Sequence, residues 1–415
     1  MKSNGITTDT RKLDNGAIFF ALKGANFNGN EFASKAIEEG CSYAVVDEQQ
    51  YAVNEKCILV DNVLKTLQDL ANFHRKQFDI PVLGITGSNG KTTTKELIGA
   101  VLAKKYNLLI TEGNLNNHLG VPFTLLRLTA EHDFAVIEMG ANKPGDIQEL
   151  AEIAEPNYGI ITNVGAAHIE GFGSLEGVIK TKTELYRWID SVDGKIFVNA
   201  EDPTLIMHLP DVENVTYGVE RGDVQGELLR LTPFVVLSWQ KDGYRSPEIK
   251  TKLVGRYNFT NFLAAITIGD YFEIDRDDIN HALEEYTPSN NRSQVQETDK
   301  NTLIVDCYNA NATSMAAAIN SFAEVEHSSK LAILGDMLEL GPISQTEHQK
   351  IVDLLNEKKI EAILVGAEFS KTTSDFTHFN NVHDLIDSGI VNYSNQLILL
   401  KGSRGIKLEQ LIPLL

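Results

Sequence analysis

Cysteine is scarce: the chain of 415 residues holds three, Cys41, Cys57 and Cys307, far apart. That spacing offers neither a disulfide framework nor a C-x-x-C metal pair, and it fits a reducing compartment. Long hydrophobic runs are missing too, none approaching the roughly 18 apolar residues of a membrane span. The opening Met1-Lys2-Ser3-Asn4-Gly5 lacks the apolar stretch of a secretion signal. A cytoplasmic protein without stable membrane insertion is therefore expected. Basic charge is in deficit, with 37 Lys and Arg against 57 Asp and Glu and a net charge of −20. This disfavours nucleic acid or an anionic membrane as the main partner, and any anionic substrate needs a locally basic site or a helix N-terminus. No internal repeat or low-complexity tract occurs. What is there, 42% hydrophobic and 23% charged residues, is ordinary for a globular protein. The length calls for two or three domains.

The pattern along the chain predicts an α/β protein of three domains. In 1–79, strands are expected at 17–22, 43–47 and 57–60, with helices at 31–39 and 63–76. Phe78-Asp79-Ile80-Pro81 closes this unit, because proline disfavours helix at the residue before it. In 80–286, strands are expected at 82–86, 108–111, 134–139, 159–164 and 195–199, with helices at 91–103, 145–154 and 175–188. Continuous apolar strands with helices between them argue for a buried, mostly parallel sheet. Residues 224–254 read as a β-hairpin excursion, followed by a helix over 258–272 with Asn258 as its N-cap. Turn-rich Thr287-Pro288-Ser289-Asn290-Asn291-Arg292-Ser293 marks the start of 287–415. There, strands at 302–307, 331–334, 362–365 and 396–400 suggest a further, Rossmann-like unit.

The most informative stretch is Val82-Leu83-Gly84-Ile85-Thr86-Gly87-Ser88-Asn89-Gly90-Lys91-Thr92-Thr93-Thr94. An apolar strand runs into a glycine turn, and Lys91 opens a helix. The amides of such a turn and of the helix N-terminus cradle phosphate oxygens. Lys91 can neutralise β- and γ-phosphates, and the Thr92 hydroxyl can hold Mg²⁺. The spacing departs from G-x-x-x-x-G-K-[ST], since Ile85 sits where the first glycine belongs and Gly84 and Gly87 flank it. ATP or GTP is the expected ligand, and no Asn-Lys-x-Asp run is present to read guanine. Glu138 ends an apolar strand, at the sheet edge where ligands bind, and an acidic side chain there can hold Mg²⁺ opposite the loop threonine. His168 follows another strand end, a position where a structural histidine is the commoner case. Lys182 lies in a helical pattern, and a protonated lysine cannot ligate a cation. Asn114, Asn116 and Asn117 offer neutral donors and acceptors suited to a polar substrate, although asparagines are also common loop residues.

These segments together resemble the Mur ligase family, the ATP-dependent amino-acid and peptide ligases of bacterial cell-wall synthesis. The runs that carry the resemblance are Thr86–Thr93, the Glu138 strand end, His168, Lys182, Gly255–Asn261 and Arg292. Within the family, Gly113–Pro122, Glu138–Gly145, Ala167–Ser174, Tyr308–Asn311, Leu334–Gly341 and Leu400–Gly405 are similar to the member that adds D-alanyl-D-alanine to UDP-MurNAc-tripeptide. Thr8-Asp9-Thr10-Arg11 and Phe20–Gly24 resemble the family's UDP-sugar-binding domain.

The resemblance implies that Gly87, Ser88, Asn89, Gly90, Lys91, Thr92 and Thr93 bind ATP phosphates, with Thr92 and Glu138 on one Mg²⁺. His168 and Lys182, the latter carrying a carbamate, would bind a second. A carbamylated lysine is an anion, which removes the objection to it as a ligand. Asn261 would contact adenine, Arg292 the phosphates and Asp306 the ribose. Thr10, Arg11, Asn116, Asn117, Asn309, Asp336 and Arg404 would serve the UDP-sugar peptide and dipeptide substrates, in a monomeric enzyme with no nucleic-acid partner. Two departures stand out: Ala312 replaces a usual proline, and Asn30 a frequent histidine. An Asp-Asn-Pro-Arg motif, which would favour the preceding enzyme that adds a diamino acid, is absent. The UDP-sugar-type first domain disfavours a folylpolyglutamate-type ligase. The intact Lys91, Thr92, Glu138, His168 and Lys182 argue against a regulatory module with a degenerate site.

Overall fold

The computed structural model describes residues 3–11, 15–165, 169–288 and 292–415. Among these, the first sheet aligns Ile6–Thr7, Ile18–Phe20, Tyr43–Val46 and Cys57–Leu59, all parallel. The helix Val63–Arg75, capped by the Asn62 side chain, leaves this sheet and lies on the next unit. Its polar stripe is spent on that contact. Gln68 Nε2 donates to Glu149 Oε1 at 2.7 Å, Asn72 Nδ2 to Glu152 O at 3.0 Å and Arg75 Nε to Ala154 O at 3.1 Å. Asn30, at the unusual position in the first unit, is fully buried; its Nδ2 donates to Asp47 Oδ1 at 2.9 Å and its Oδ1 accepts from Asp47 N at 3.0 Å.

The central sheet runs in the order Leu108–Ile110, Phe134–Glu138, Val82–Thr86, Tyr158–Ile161, Lys195–Asn199 and Asn214–Gly218, all parallel. It then continues through Val224–Arg230 into the antiparallel Val236–Lys241 and two short strands, which is the expected hairpin excursion. Every residue of Val82–Thr86 and Phe134–Glu138 is buried, as uninterrupted apolar strands require. From Val82–Thr86 the chain first fills one side of the sheet and then the other, so a crevice opens at the carboxyl end of this strand.

Gly84 faces Gly159 across two adjacent strands. A Cβ on Gly159 would come within 2.8 Å of Ile189 Cγ1, and one on Gly84 within 3.1 Å of Leu185 Cδ1. The two glycines let the helix Glu184–Ser191 lie directly on the sheet. Gly84 is thus a packing residue inside the strand, and the turn begins at Gly87.

Two expectations are corrected, and two elements are additional. The single helix over 175–188 is two, Leu175–Lys182 and Glu184–Ser191, joined at Thr183. The Thr183 hydroxyl donates back to Ile179 O at 2.9 Å, a bond of the kind that bends helices. Asn258 is not an N-cap. It lies inside the helix Asn258–Tyr271, and its Nδ2 donates backward to Val254 O at 2.7 Å. The strand Asn214–Gly218 and the helix Arg276–Glu285 were not anticipated, the helix because its apolar positions are few among charges.

The third sheet orders Gln294–Glu297, Thr302–Asp306, Leu397–Lys401, Lys330–Gly335, Glu361–Val365 and Thr377–Phe379. All pairs are parallel except the first, whose polar edge strand was also not anticipated. Ala312 opens the helix Ala312–Glu324, where a capping box between Asn311 and Ser314 fixes the turn that a proline would otherwise stiffen.

Gly159→Val should force the helix Glu184–Ser191 off the sheet. Overpacking of this kind is expected to destabilise by about 1–3 kcal/mol, read as a lowered midpoint of denaturant unfolding.

Candidate active site

The phosphate loop is built by stitching a strand end to its neighbours. Thr86 Oγ1 donates to Met139 O at 2.8 Å. Gly87 has φ +146°, and a Cβ there would lie 2.0 Å from Thr162 Oγ1, so only glycine fits. Ser88 N donates to Asn163 O at 3.0 Å and Asn89 N to Asn163 Oδ1 at 3.0 Å. The Ser88 hydroxyl donates to Gly165 O and accepts from Gly165 N, both at 2.9 Å. Asn163, which sequence reasoning did not single out, therefore holds the loop from the adjoining strand end. Gly90, with φ +79°, caps the helix Lys91–Leu102, whose first-turn amides have no partner within the helix. Lys91 folds back and donates from Nζ to Gly87 O at 2.6 Å. Burial pushes its ammonium below its ordinary range, Glu138 opposes the shift and Arg292 adds to it.

Glu138 is the buried charge of the site. Its Oε1 accepts from Asn116 Nδ2 at 2.7 Å and from Thr92 Oγ1 at 3.2 Å. Its Oε2 is buried with no hydrogen-bond partner. The nearest cation is Lys95 Nζ at 4.0 Å, itself buried and donating to Thr111 O at 2.7 Å. A buried carboxylate oxygen left open beside a hydroxyl fits Mg²⁺, which typically takes one or two protein oxygens and completes its shell with water and phosphate. Among the described residues no three His, Cys, Asp or Glu cluster as a metal cage.

Lys182 is buried, its Nζ lies 5.6 Å from the Phe172 ring centre, and it forms no hydrogen bond or ion pair among the described residues. Burial, with the Lys91 charge second, pushes its amine well below the ordinary lysine range. Asp146 and Glu184 oppose this, but both are already engaged by backbone amides. The unprotonated amine is the form that adds carbon dioxide, and burial shifts Lys182 toward that form. His168 lies outside the described residues.

A cavity of ≈ 490 Å³ opens between the central and third sheets, and its wall includes Lys91, Thr92, Glu138, Asn261, Arg292 and Asp306. Ser88, Asn89, Gly90, Thr93, Asn116, Asn117 and Asn309 also reach it. Asn261 is fixed by Thr94 Oγ1, which donates to its Oδ1 at 3.1 Å, and by its own donation to Asn258 Oδ1 at 2.9 Å. Asp306 accepts from Lys401 Nζ at 2.5 Å, a buried partner that the sequence pattern does not single out. Asn311 Nδ2 donates to Asn89 Oδ1 at 2.8 Å and so ties the third unit to the loop tip. Asn117 caps the following helix by accepting from Leu119 and Gly120 amides.

The remaining candidates stand off this wall. Arg11 is exposed and paired with Asp9 at 2.8 Å, with Thr10 beside it in the first unit. Asp336 is buried and accepts from the amides of Glu368 and Phe369, both at 2.9 Å, which makes it a structural cap. Arg404 is exposed, its guanidinium 5.6 Å from the Tyr308 ring centre. Lys182 also stands behind the wall.

Three family models match in succession: the Mur ligase family catalytic domain over residues 2–75, the Mur ligase middle domain over 85–269, and the Mur ligase glutamate ligase domain over 291–404. The UDP-N-acetylmuramoyl-tripeptide–D-alanyl-D-alanine ligase of Bacillus subtilis strain 168 is 33% identical over 99% of this chain and 92% of its own. That of Synechocystis is 35% identical over 90% of this chain and 84% of its own. A crystal structure of MurF from Acinetobacter baumannii superposes with TM-score 0.86 at 30% identity, covering 99% of this chain and 92% of the other. With matches that run nearly end to end, this chain belongs to the Mur ligase family.

Proposed function

We propose that the chain is an ATP-dependent ligase that joins D-alanyl-D-alanine to UDP-MurNAc-tripeptide, releasing UDP-MurNAc-pentapeptide, ADP and phosphate in peptidoglycan precursor synthesis. One observation carries this: a single cavity gathers a phosphate loop, a buried carboxylate with an open oxygen and, from the third unit, Arg292 and Asp306. The full-length likeness to UDP-N-acetylmuramoyl-tripeptide–D-alanyl-D-alanine ligases supports these substrates. We assign residues 1–79 to the UDP-MurNAc-peptide, 80–286 to ATP and 287–415 to the dipeptide, in a cytoplasmic monomer. Among the described residues no helix is long and apolar enough to cross a membrane.

Amide formation needs an activated carboxylate. The terminal carboxylate of the tripeptide attacks the γ-phosphorus of ATP, forming an acyl phosphate and ADP. The dipeptide amine then attacks the acyl carbon, and the tetrahedral intermediate expels phosphate. Lys91 and the loop amides neutralise charge on the transferring phosphoryl group. Asn261 meets adenine, Asp306 the ribose and Arg292 the phosphates. Thr92 and Glu138 would hold one Mg²⁺, and His168 with a carbamylated Lys182 a second; the two ions would screen the repulsion between phosphate and incoming carboxylate. Thr10, Arg11, Asn116, Asn117, Asn309 and Arg404 belong to the peptide side, which Asp336 serves only as a structural cap.

The decisive measurement is phosphate release with ATP, Mg²⁺ and UDP-MurNAc-tripeptide, with and without D-alanyl-D-alanine, with product mass checked. Dipeptide-dependent turnover to a pentapeptide is expected; turnover only with UDP-MurNAc-dipeptide plus a diamino acid would move the protein one step earlier. Glu138→Gln should cut turnover by more than about 100-fold, beyond the 10–100-fold typical of residues that only support a metal ligand, with the Mg²⁺ requirement shifted upward. Lys182→Ala should be inactive, with partial rescue by short carboxylic acids. The carbamate needs the unprotonated amine, so a ¹³C carbamate signal from labelled bicarbonate should grow with pH and vanish in the variant. In carbon-dioxide-free buffer the sign for stability is the same. The unfolded chain keeps a proton on Lys182 up to its ordinary value of 10.5, while the folded chain sheds it lower. Stability therefore rises as pH climbs toward that value, and Lys182→Met should flatten the slope.

A further inference from the structure

Arg292 reaches the cavity by way of an edge strand. Gln294 pairs with Val305 in the antiparallel ladder, so two residues earlier the chain arrives beside the turn that follows Asp306. Ser293, buried with φ +50°, is held there by Tyr257 of the central unit, the two hydroxyls 2.8 Å apart. The Arg292 guanidinium carbon then sits 3.8 Å from the centre of the Tyr308 ring. Its Nε is buried without a partner, and among the described residues no carboxylate pairs with it. The Tyr308 hydroxyl likewise makes no hydrogen bond among the described residues, so the ring face is the part of Tyr308 that contacts the arginine.

The choice of an aromatic face over a carboxylate has a chemical consequence. A carboxylate would orient a guanidinium by consuming its N–H fork and cancelling its charge. That is how Asp306 treats Lys401 in the same unit. A ring stacked on the flat face restricts the long side chain but leaves its edge donors and its full charge available. The arginine is thereby preorganised for a second anion.

We infer that Tyr308 is a positioning residue whose ring face holds the Arg292 guanidinium ready for the terminal phosphate of the nucleotide. This rests on the proposed nucleotide reading of the cavity. The stack acts on the part of the ligand that Arg292 meets, so it discriminates triphosphate from diphosphate.

Calorimetric titration of the full chain with Mg²⁺–ADP and with the non-hydrolysable triphosphate AMPPNP tests it. Tyr308→Leu should weaken AMPPNP about tenfold and ADP less than about twofold, while Tyr308→Phe, which keeps the ring, stays near the parent for both. Arg292→Ala should show the same selective loss, and the double variant should lose no more than Arg292→Ala alone. Equal weakening of both nucleotides by Tyr308→Leu, a failure of Phe to substitute, or additive losses in the double variant would overturn the inference. If Arg292→Ala leaves the AMPPNP-to-ADP ratio unchanged, the phosphate role of Arg292 falls and Tyr308 falls with it. If Arg292→Ala shifts the ratio and Tyr308→Leu does not, only the role of Tyr308 is lost.

Discussion

A carboxylate buried at the end of the strand Phe134–Glu138 governs much of this molecule. An uncompensated charge in a protein interior costs several kcal/mol, a large share of the roughly 5–15 kcal/mol that keeps a domain folded. Glu138 is therefore surrounded by groups that would otherwise have little reason to be buried. Lys95 comes from the helix behind the phosphate loop, Thr92 from that helix's first turn and Asn116 from the loop after the next strand, while Thr111 accepts the Glu138 amide proton at 2.9 Å. Satisfying one carboxylate brings three separate segments to one point, and still leaves one of its oxygens open.

The loop beside it is held by a different device. Its fixing bonds come from the neighbouring strand end, at Thr162, Asn163 and Gly165, and they take up the Ser88 and Asn89 amides, so the amides left open for a ligand are those of the helix first turn. The third unit joins partly through an apolar contact, with Val254, Phe234 and Tyr257 packed against its core, and partly through polar bonds: Asn311 to Asn89, Tyr257 to Ser293, and the Arg256 amide to Ser321 Oγ at 3.1 Å. The polar bonds can exchange with water, which suits a boundary across which substrates enter and leave. Arg292 and Asp306 reach the cavity only because that boundary is met at this angle.

Most of the phosphate loop and its strand was legible in the sequence, because the chemistry is local: a buried apolar run, a glycine turn and a lysine within one short segment. Gly84 was legible as an unusual glycine but not as a packing residue, since its partner Gly159 lies far along the chain and meets it only across the sheet. Asn258 looked like a cap because asparagines often are, whereas the carbonyl of Val254 claimed its amide. Nothing in the local pattern marks Lys95 or Lys401 as buried. Only the fold shows them sunk against Glu138 and Asp306. Asp336 sat in a motif that suggested substrate contact, yet two backbone amides had already claimed its oxygens.

The sequence by itself determined the fold class, the order of the three units and the phosphate-binding segment, because hydrophobic periodicity and turn chemistry act over a few residues. The tertiary structure alone decided which charges are buried, which side chains are spent on neighbours and which remain free for a ligand. Those outcomes depend on desolvation and on contacts between segments more than a hundred residues apart, which no local pattern encodes.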